Sequence, residues 1–246
     1  EHGARYLRER LSAEGVGGDA GPRIEVHHLG VRDHGPSPAP AGRSARSACH
    51  TTGEGIDSPA PDVRVPLVVS CATLLPRKRI HLIPRVLAAL EQPVRWVHLG
   101  DGPERARVET AAAELPPRVR WELAGRLPRS EVLRFYRENP VDAFLSVSES
   151  EGLPVSMMEA VSFGVPVVAV GGQGIPEIVN ERTGVLLPEE ASPAAVAAGL
   201  ARALAPDRFR RADVRESFLE KFEAGSNFNR FVDALLALAS AVELRS

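Results

Sequence analysis

The chain has 246 residues, 43% hydrophobic and 25% charged, proportions of a soluble globular protein forming one large domain or two small ones. Lys and Arg number 30 against 32 Asp and Glu, a net charge of −2, which excludes a broad basic field for nucleic acid or an anionic membrane. No apolar run approaches the roughly 18 residues of a spanning helix, no secretory leader pattern opens the chain, and Cys49 and Cys71 have no metal-ligand company; a reducing, cytoplasmic setting is expected.

In chain order, Glu1 to Arg10 reads as the end of an amphipathic helix and Ile24 to Gly30 as a strand. His27 and His28 are adjacent, so in a strand they face opposite ways and cannot share a metal. Residues 31–64 are rich in Gly, Pro, Ser and Ala without periodicity and read as a mobile linker at a domain boundary. From Val65 onward short apolar runs alternate with helical patterns, the signature of a doubly wound α/β domain with a parallel sheet, expected over residues 65–225. Leu67 to Cys71 is its first strand, ATLLPRKR the following loop, and a helix runs to Glu91 with Pro84 in its first turn. Val94 to Leu99 is the second strand, closed by the tight turn Gly100-Asp101-Gly102-Pro103 before a helix to Leu115. Val119 to Ala124 is the third, followed by Gly125-Arg126-Leu127 and a helix from Ser130 to Asn139, stopped by Pro140.

The richest stretch is DAFLSVSESEGLPVSMMEAVSFGVPVVAVGGQGIPEIV, from Asp142 to Val179. It reads as a buried strand to Val147, a polar turn, a helix over Val155 to Phe163 with Pro154 at its start, a stop at Gly164, and a second strand over Val165 to Val170. A strand, loop and helix in this order aim backbone N–H groups above the carboxyl end of the sheet, a ready anion site. Glu151 lies in the loop and Glu159 about 7–8 Å along the helix, a separation suited to a ligand with hydroxyls at both ends and phosphates between. Capping boxes at Ser148 to Glu151 and Ser156 to Glu159 are the bland alternative, but Glu159 shares a helix face with Val155 and Phe163, where an unpaired carboxylate is costly.

The segment SESEGLPVSMMEAVSFGVPVVAVGGQGIPEIV resembles the signature of the retaining glycosyltransferase family 4 (group 1), with its E-x7-E element and the GG-x-x-E loop after it. The resemblance covers roughly Val65 to Ala205 and implies the C-terminal, donor-binding half of a GT-B fold, two Rossmann-like domains facing across a cleft. Residues 1–30 would then be a remnant of the N-terminal acceptor domain, and residues 226–246 a helix crossing back toward it. The implied function is transfer of a sugar from a nucleoside diphosphate sugar, with UDP or GDP as carrier, to a hydroxyl of a saccharide, lipid-linked or small-molecule acceptor. No metal or cofactor is implied, and peripheral membrane contact would come only through the missing domain. Glu151 is expected to bind the donor sugar and Glu159 the nucleotide ribose. Lys78 takes the position of the diphosphate-binding Lys, and Lys78 and Glu151 are the residues expected to serve catalysis.

Around them the resemblance places Gly100 and Gly102 along the donor cleft, Gly125 and Arg126 at the nucleobase, and the backbone of Gly152, Leu153, Pro154 and Val155 at the phosphates. There are departures. The family's Arg in the first loop falls on Thr73, and its usual Gly after the Lys is Arg79, which is expected to supply the missing phosphate charge. In GG-x-x-E the two glycine positions are Gln173 and Gly174, with Glu177 the matching Glu. Two other readings stay open: a non-catalytic nucleotide-sugar-binding module, and an epimerase or hydrolase on the same kind of fold.

Overall fold

The computed structural model describes residues 30–36, 38 and 64–243. The expected N-terminal helix and strand, the bulk of the linker with Cys49, and residues 244–246 lie outside the described residues.

Six strands form one parallel sheet: β1 (Leu67–Cys71), β2 (Val94–Leu99), β3 (Val119–Leu123), β4 (Ala143–Ser146), β5 (Val167–Val170) and β6 (Gly184–Leu187), in the order β3-β2-β1-β4-β5-β6. This is the Rossmann-like doubly wound arrangement expected from the sequence, and the strand runs read there agree with it to within two residues at either end. β5 is apolar throughout, and β1 and β4 are so except for Ser70 and Ser146, because both faces are covered. On one face pack α1 (Ile83–Ala88), α2 (Arg105–Ala113) and α6 (Pro193–Leu204), with Ile83, Leu87, Val108 and Leu200 buried around Trp96. On the other lie α3 (Arg129–Glu138), α4 (Val155–Ser162) and α7 (Arg211–Lys221), with Tyr136, Phe144, Phe163 and Phe218 at the centre. α5 (Ile175–Ile178) is one turn after β5, and α8 (Ala224–Glu243) closes the described chain.

Local signals account for several boundaries. The Ser192 hydroxyl accepts from the Ala195 N–H at 3.2 Å and caps α6, with Pro193 at its first position. Gly164 ends α4 at φ +74°, where a Cβ would lie 2.7 Å from the Arg211 carbonyl oxygen. Pro154 sits one position earlier than expected, as the extended residue before α4.

Residues 30–36 differ from the linker expected there. Val31 is buried, its N–H donates to the Phe222 carbonyl, and its own carbonyl accepts from the Ala224 N–H, both at 3.0 Å. Asp33 pairs with Arg215, and the His34 ring stacks on Phe163. This segment has little periodicity because two hydrogen bonds and one buried valine anchor it, and neither leaves a repeating pattern. No helix among the described residues is long and apolar enough to cross a membrane.

Candidate functional site

β1 and β4 are neighbours whose connections leave in opposite directions, so a crevice opens between their carboxyl ends; ligands of doubly wound sheets bind at such a switch point. The loop after β1 forms one wall. Its Ala72 and Leu74 N–H groups donate to the Leu99 and Asp101 carbonyls at the exit of β2. Only glycine allows that approach: a Cβ on Gly100 would lie 1.9 Å from the Ala72 carbonyl oxygen, and one on Gly102 2.7 Å from that of Leu74. Below this wall runs a buried chain of polar groups. The Trp96 indole N–H donates to the Ser70 hydroxyl at 2.9 Å, Ser70 contacts His98 Nδ1 at 2.8 Å, and His98 Nε2 contacts the Ala72 carbonyl at 3.1 Å. Since the indole only donates and the carbonyl only accepts, Ser70 donates to Nδ1 and the Nε2–H tautomer donates to Ala72. Burial pulls the His98 pKa down to about 4, so the ring is neutral.

A cleft of about 620 Å³ opens beside these loops, walled by Cys71, Ala72 and Thr73 after β1, by Leu99 to Gly102 after β2, and by Arg126, Leu127 and Val132 beyond β3. The expected donor residues Thr73, Gly100, Gly102 and Arg126 are therefore all at the cleft, and Gly125, at φ +76°, bridges to Gly100 beside it.

The second wall is the loop between β4 and α4, laced to the first. Lys78 ends a 3-10 turn, Pro76–Lys78, within the expected loop, and a second 3-10 turn, Ile80–Leu82, stands in place of the expected helix start. The Lys78 ammonium forms an ion pair with Glu151, and both side chains are largely enclosed, 15% and 13% exposed. The Glu149 N–H donates to the Arg77 carbonyl at 2.9 Å. Arg79 has partners that the sequence reading did not include. Its backbone is left-handed at φ +51°, and its guanidinium donates to the carbonyl oxygens of Val147 at 2.8 Å and Ser148 at 3.4 Å. It thereby ties the loop after β1 to the end of β4. Gly152 is exposed, Leu153 half-buried and Pro154 buried, while Val155, at 51% exposure, opens α4. The third loop, after β5, closes on the second: a Cβ on Gly174 would lie 1.7 Å from the Gly152 carbonyl oxygen. Gln173, in one of the family's glycine positions, has φ +55°, and its side-chain oxygen accepts from the Ser150 hydroxyl.

Glu159 lies on the buried side of α4 and is only 6% exposed at its side chain. The sequence reading missed its partner. Arg129, in the first turn of α3, donates through Nε to Glu159 Oε1 at 2.7 Å. The two residues are thirty apart on different helices, so no local pattern joins them. Burial first, and the Glu159 carboxylate second, push the Cys71 thiol up to about 12. The loops after β1 and β4 thus bring together a cation and a carboxylate, Lys78 and Glu151, beside the opening amides of α4, with the Glu159 carboxylate further along that helix. Among the described residues no group of three or more His, Cys, Asp or Glu is placed to hold a metal ion.

The family described as "Glycosyl transferases group 1" matches residues 55–217 of this chain. Among curated relatives, the putative colanic acid biosynthesis glycosyltransferase WcaL of Escherichia coli (strain K12) is 34% identical over 130 residues, 50% of this chain and 32% of that protein. The amylovoran biosynthesis glycosyltransferase AmsK of Erwinia amylovora is 31% identical over 144 residues, 55% of this chain and 35% of that protein. This chain thus spans about a third of the length of either. Among solved structures, the lipopolysaccharide outer core galactosyltransferase WaaB in its apo form superposes with a TM-score of 0.69 at 18% identity, covering 93% of this chain and 59% of that one. Anabaena HepE in complex with UDP-glucose superposes at 0.57 and 19% identity, covering 70% of this chain and 49% of that one. Both likenesses are of fold. With the matched segment spanning well over half of the chain and the E-x7-E loop seated at the switch point of the sheet, the chain belongs to the group 1 glycosyltransferases, family 4, as a Rossmann-like domain of the GT-B type.

Proposed function

We propose that this chain is the donor-binding part of a retaining hexosyltransferase that moves a sugar from a nucleoside diphosphate sugar to an acceptor hydroxyl in the cytoplasm, with the acceptor held by a domain outside residues 65–225. The observation that carries the reading is the Lys78–Glu151 pair, which places a cation and a carboxylate together over the crevice between β1 and β4. In this account the nucleobase rests at Gly125 and Arg126, the ribose at Glu159, and the diphosphate between Lys78 and the opening turn of α4. Glu151 takes the sugar hydroxyls.

Chemically, the bond from the anomeric carbon to the diphosphate oxygen breaks, the bond to the acceptor oxygen forms on the same face, and the acceptor proton leaves. The barrier falls when charge developing on the departing diphosphate meets fixed positive groups. Lys78 and the α4 amides are those groups, while Glu151 fixes the sugar's pose. Two surface-polysaccharide names among the relatives and the UDP-glucose complex of HepE support a polysaccharide pathway and UDP as the first carrier to try. A second reading, donor binding without turnover, draws on Thr73 in the family's Arg position and on Arg79 being engaged with backbone carbonyls. Titration calorimetry with UDP, GDP and ADP sugars tests the site: binding of one class is expected, and binding of none removes the reading. Turnover of the bound donor by this chain separates the two readings.

A further inference from the structure

Of the Arg129–Glu159 pair, Glu159 is the second Glu of the E-x7-E element, while Arg129 falls on none of the family's motif positions found in this sequence. Glu159 is a nearly enclosed carboxylate on a helix face lined with apolar side chains, where a lone charge is unfavourable. Arg129 resolves this from outside: its Nε donates to Oε1 at 2.7 Å, while its side chain remains 55% exposed. A bond from Nε to one carboxylate oxygen fixes the plane of the carboxylate and leaves Oε2 to another donor. Arg129 also follows Arg126 and Leu127, which line the cleft, by three and two residues and opens the helix that supplies Val132 to the same wall.

Resting on the donor-site reading, we propose that Arg129 is a positioning residue for nucleoside recognition: it orients Glu159 so that the carboxylate selects a ribose diol over a deoxy sugar. Lysine in its place keeps the charge but lacks the planar Nε–H, so it restores only part of the orientation. Arg129 makes this demand through Glu159, and the two act as a unit whose substitutions do not add.

The test is calorimetric, on this chain, with UDP, GDP and ADP and then the 2′,3′-dideoxy counterpart of whichever binds. The unsubstituted chain should prefer the ribonucleotide by about ten-fold or more, the range for a hydrogen bond to a charged group. Arg129→Met should reduce that preference to below about three-fold, Arg129→Lys should recover part of it, and in a Glu159→Gln background Arg129→Met should change it no further. A merely structural role would weaken both nucleotides equally and leave their ratio alone. A preserved ratio in a folded Arg129→Met chain overturns the inference while sparing the donor site. No binding of any nucleoside diphosphate by the unsubstituted chain overturns the donor site, and the inference with it.

Discussion

The Arg79 guanidinium donates to the Val147 carbonyl at 2.8 Å from a residue whose own backbone is left-handed, at φ +51°. This is where the family has glycine, so the conformation is retained and the side chain has been put to use as a clamp between the β1 and β4 loops. Arg79→Ala keeps the backbone strain and loses the clamp, which should destabilise by about 2 kcal/mol; Arg79→Gly relieves roughly 1 kcal/mol of that. Urea denaturation should therefore rank the unsubstituted chain first, the glycine variant second and the alanine variant last. A glycine variant less stable than the alanine variant would count against the clamp.

Gln173 repeats the theme with a weaker compensation. Its φ is +55°, and its one hydrogen bond, from the Ser150 hydroxyl, is long at 3.4 Å. Gln173→Gly should raise stability by about 0.5–1 kcal/mol in the same assay. A loss of stability would mean that the Gln side chain holds the loop more firmly than its geometry indicates.

His98 gives the fold a pH dependence. Its pKa is lowered by burial to about 4, against an ordinary value of 6.5, with Asp101 raising it and Arg105 lowering it from the adjoining turn and helix. A group held neutral in the fold binds its proton more readily when unfolded. Its contribution is thus complete above about pH 6.5 and is lost as pH falls toward 4, up to about 3 kcal/mol. Denaturation midpoints across that window should fall more steeply for the unsubstituted chain than for His98→Gln. Parallel slopes would remove His98 as the source.

Cys71 walls the cleft yet should be inert. Burial and the Glu159 carboxylate push its thiol up to about 12, leaving almost no thiolate at neutral pH. In a Cys49→Ser background, a disulfide reagent at pH 7.5 should modify Cys71 at least about a hundred-fold more slowly than free cysteine. Fast modification would place the thiol in a more open setting than the one described.

Much of the fold was legible because buried parallel strands carry short, largely apolar runs, as in LVVSC and VVAV, and because Gly164, Ser192 and Pro193 mark helix ends through local backbone preferences. The expected site residues were legible as a loop pattern, and the structure sets Thr73, Gly100, Gly102 and Arg126 on one cleft and joins Lys78 to Glu151. What escaped depends on pairs distant in sequence. Arg129 meets Glu159 from another helix, Val31 pairs with the chain near Glu223, and the Ser70, Trp96 and His98 side chains meet only once β1 and β2 are aligned. The carbonyl contacts of Arg79 were not legible, because a basic side chain in such a loop looks the same in sequence whatever it faces.

The central claim is that Lys78 grips the diphosphate of a donor nucleotide, and it is tested most directly by how that residue responds to the second phosphate. Using the nucleotide that binds best, calorimetry would compare the nucleoside diphosphate with the monophosphate on the unsubstituted chain and on a Lys78→Met variant shown by circular dichroism to be folded. The account predicts a preference for the diphosphate of about ten-fold or more that nearly vanishes in the variant, with monophosphate affinity little changed. An undiminished preference in the folded variant would contradict it.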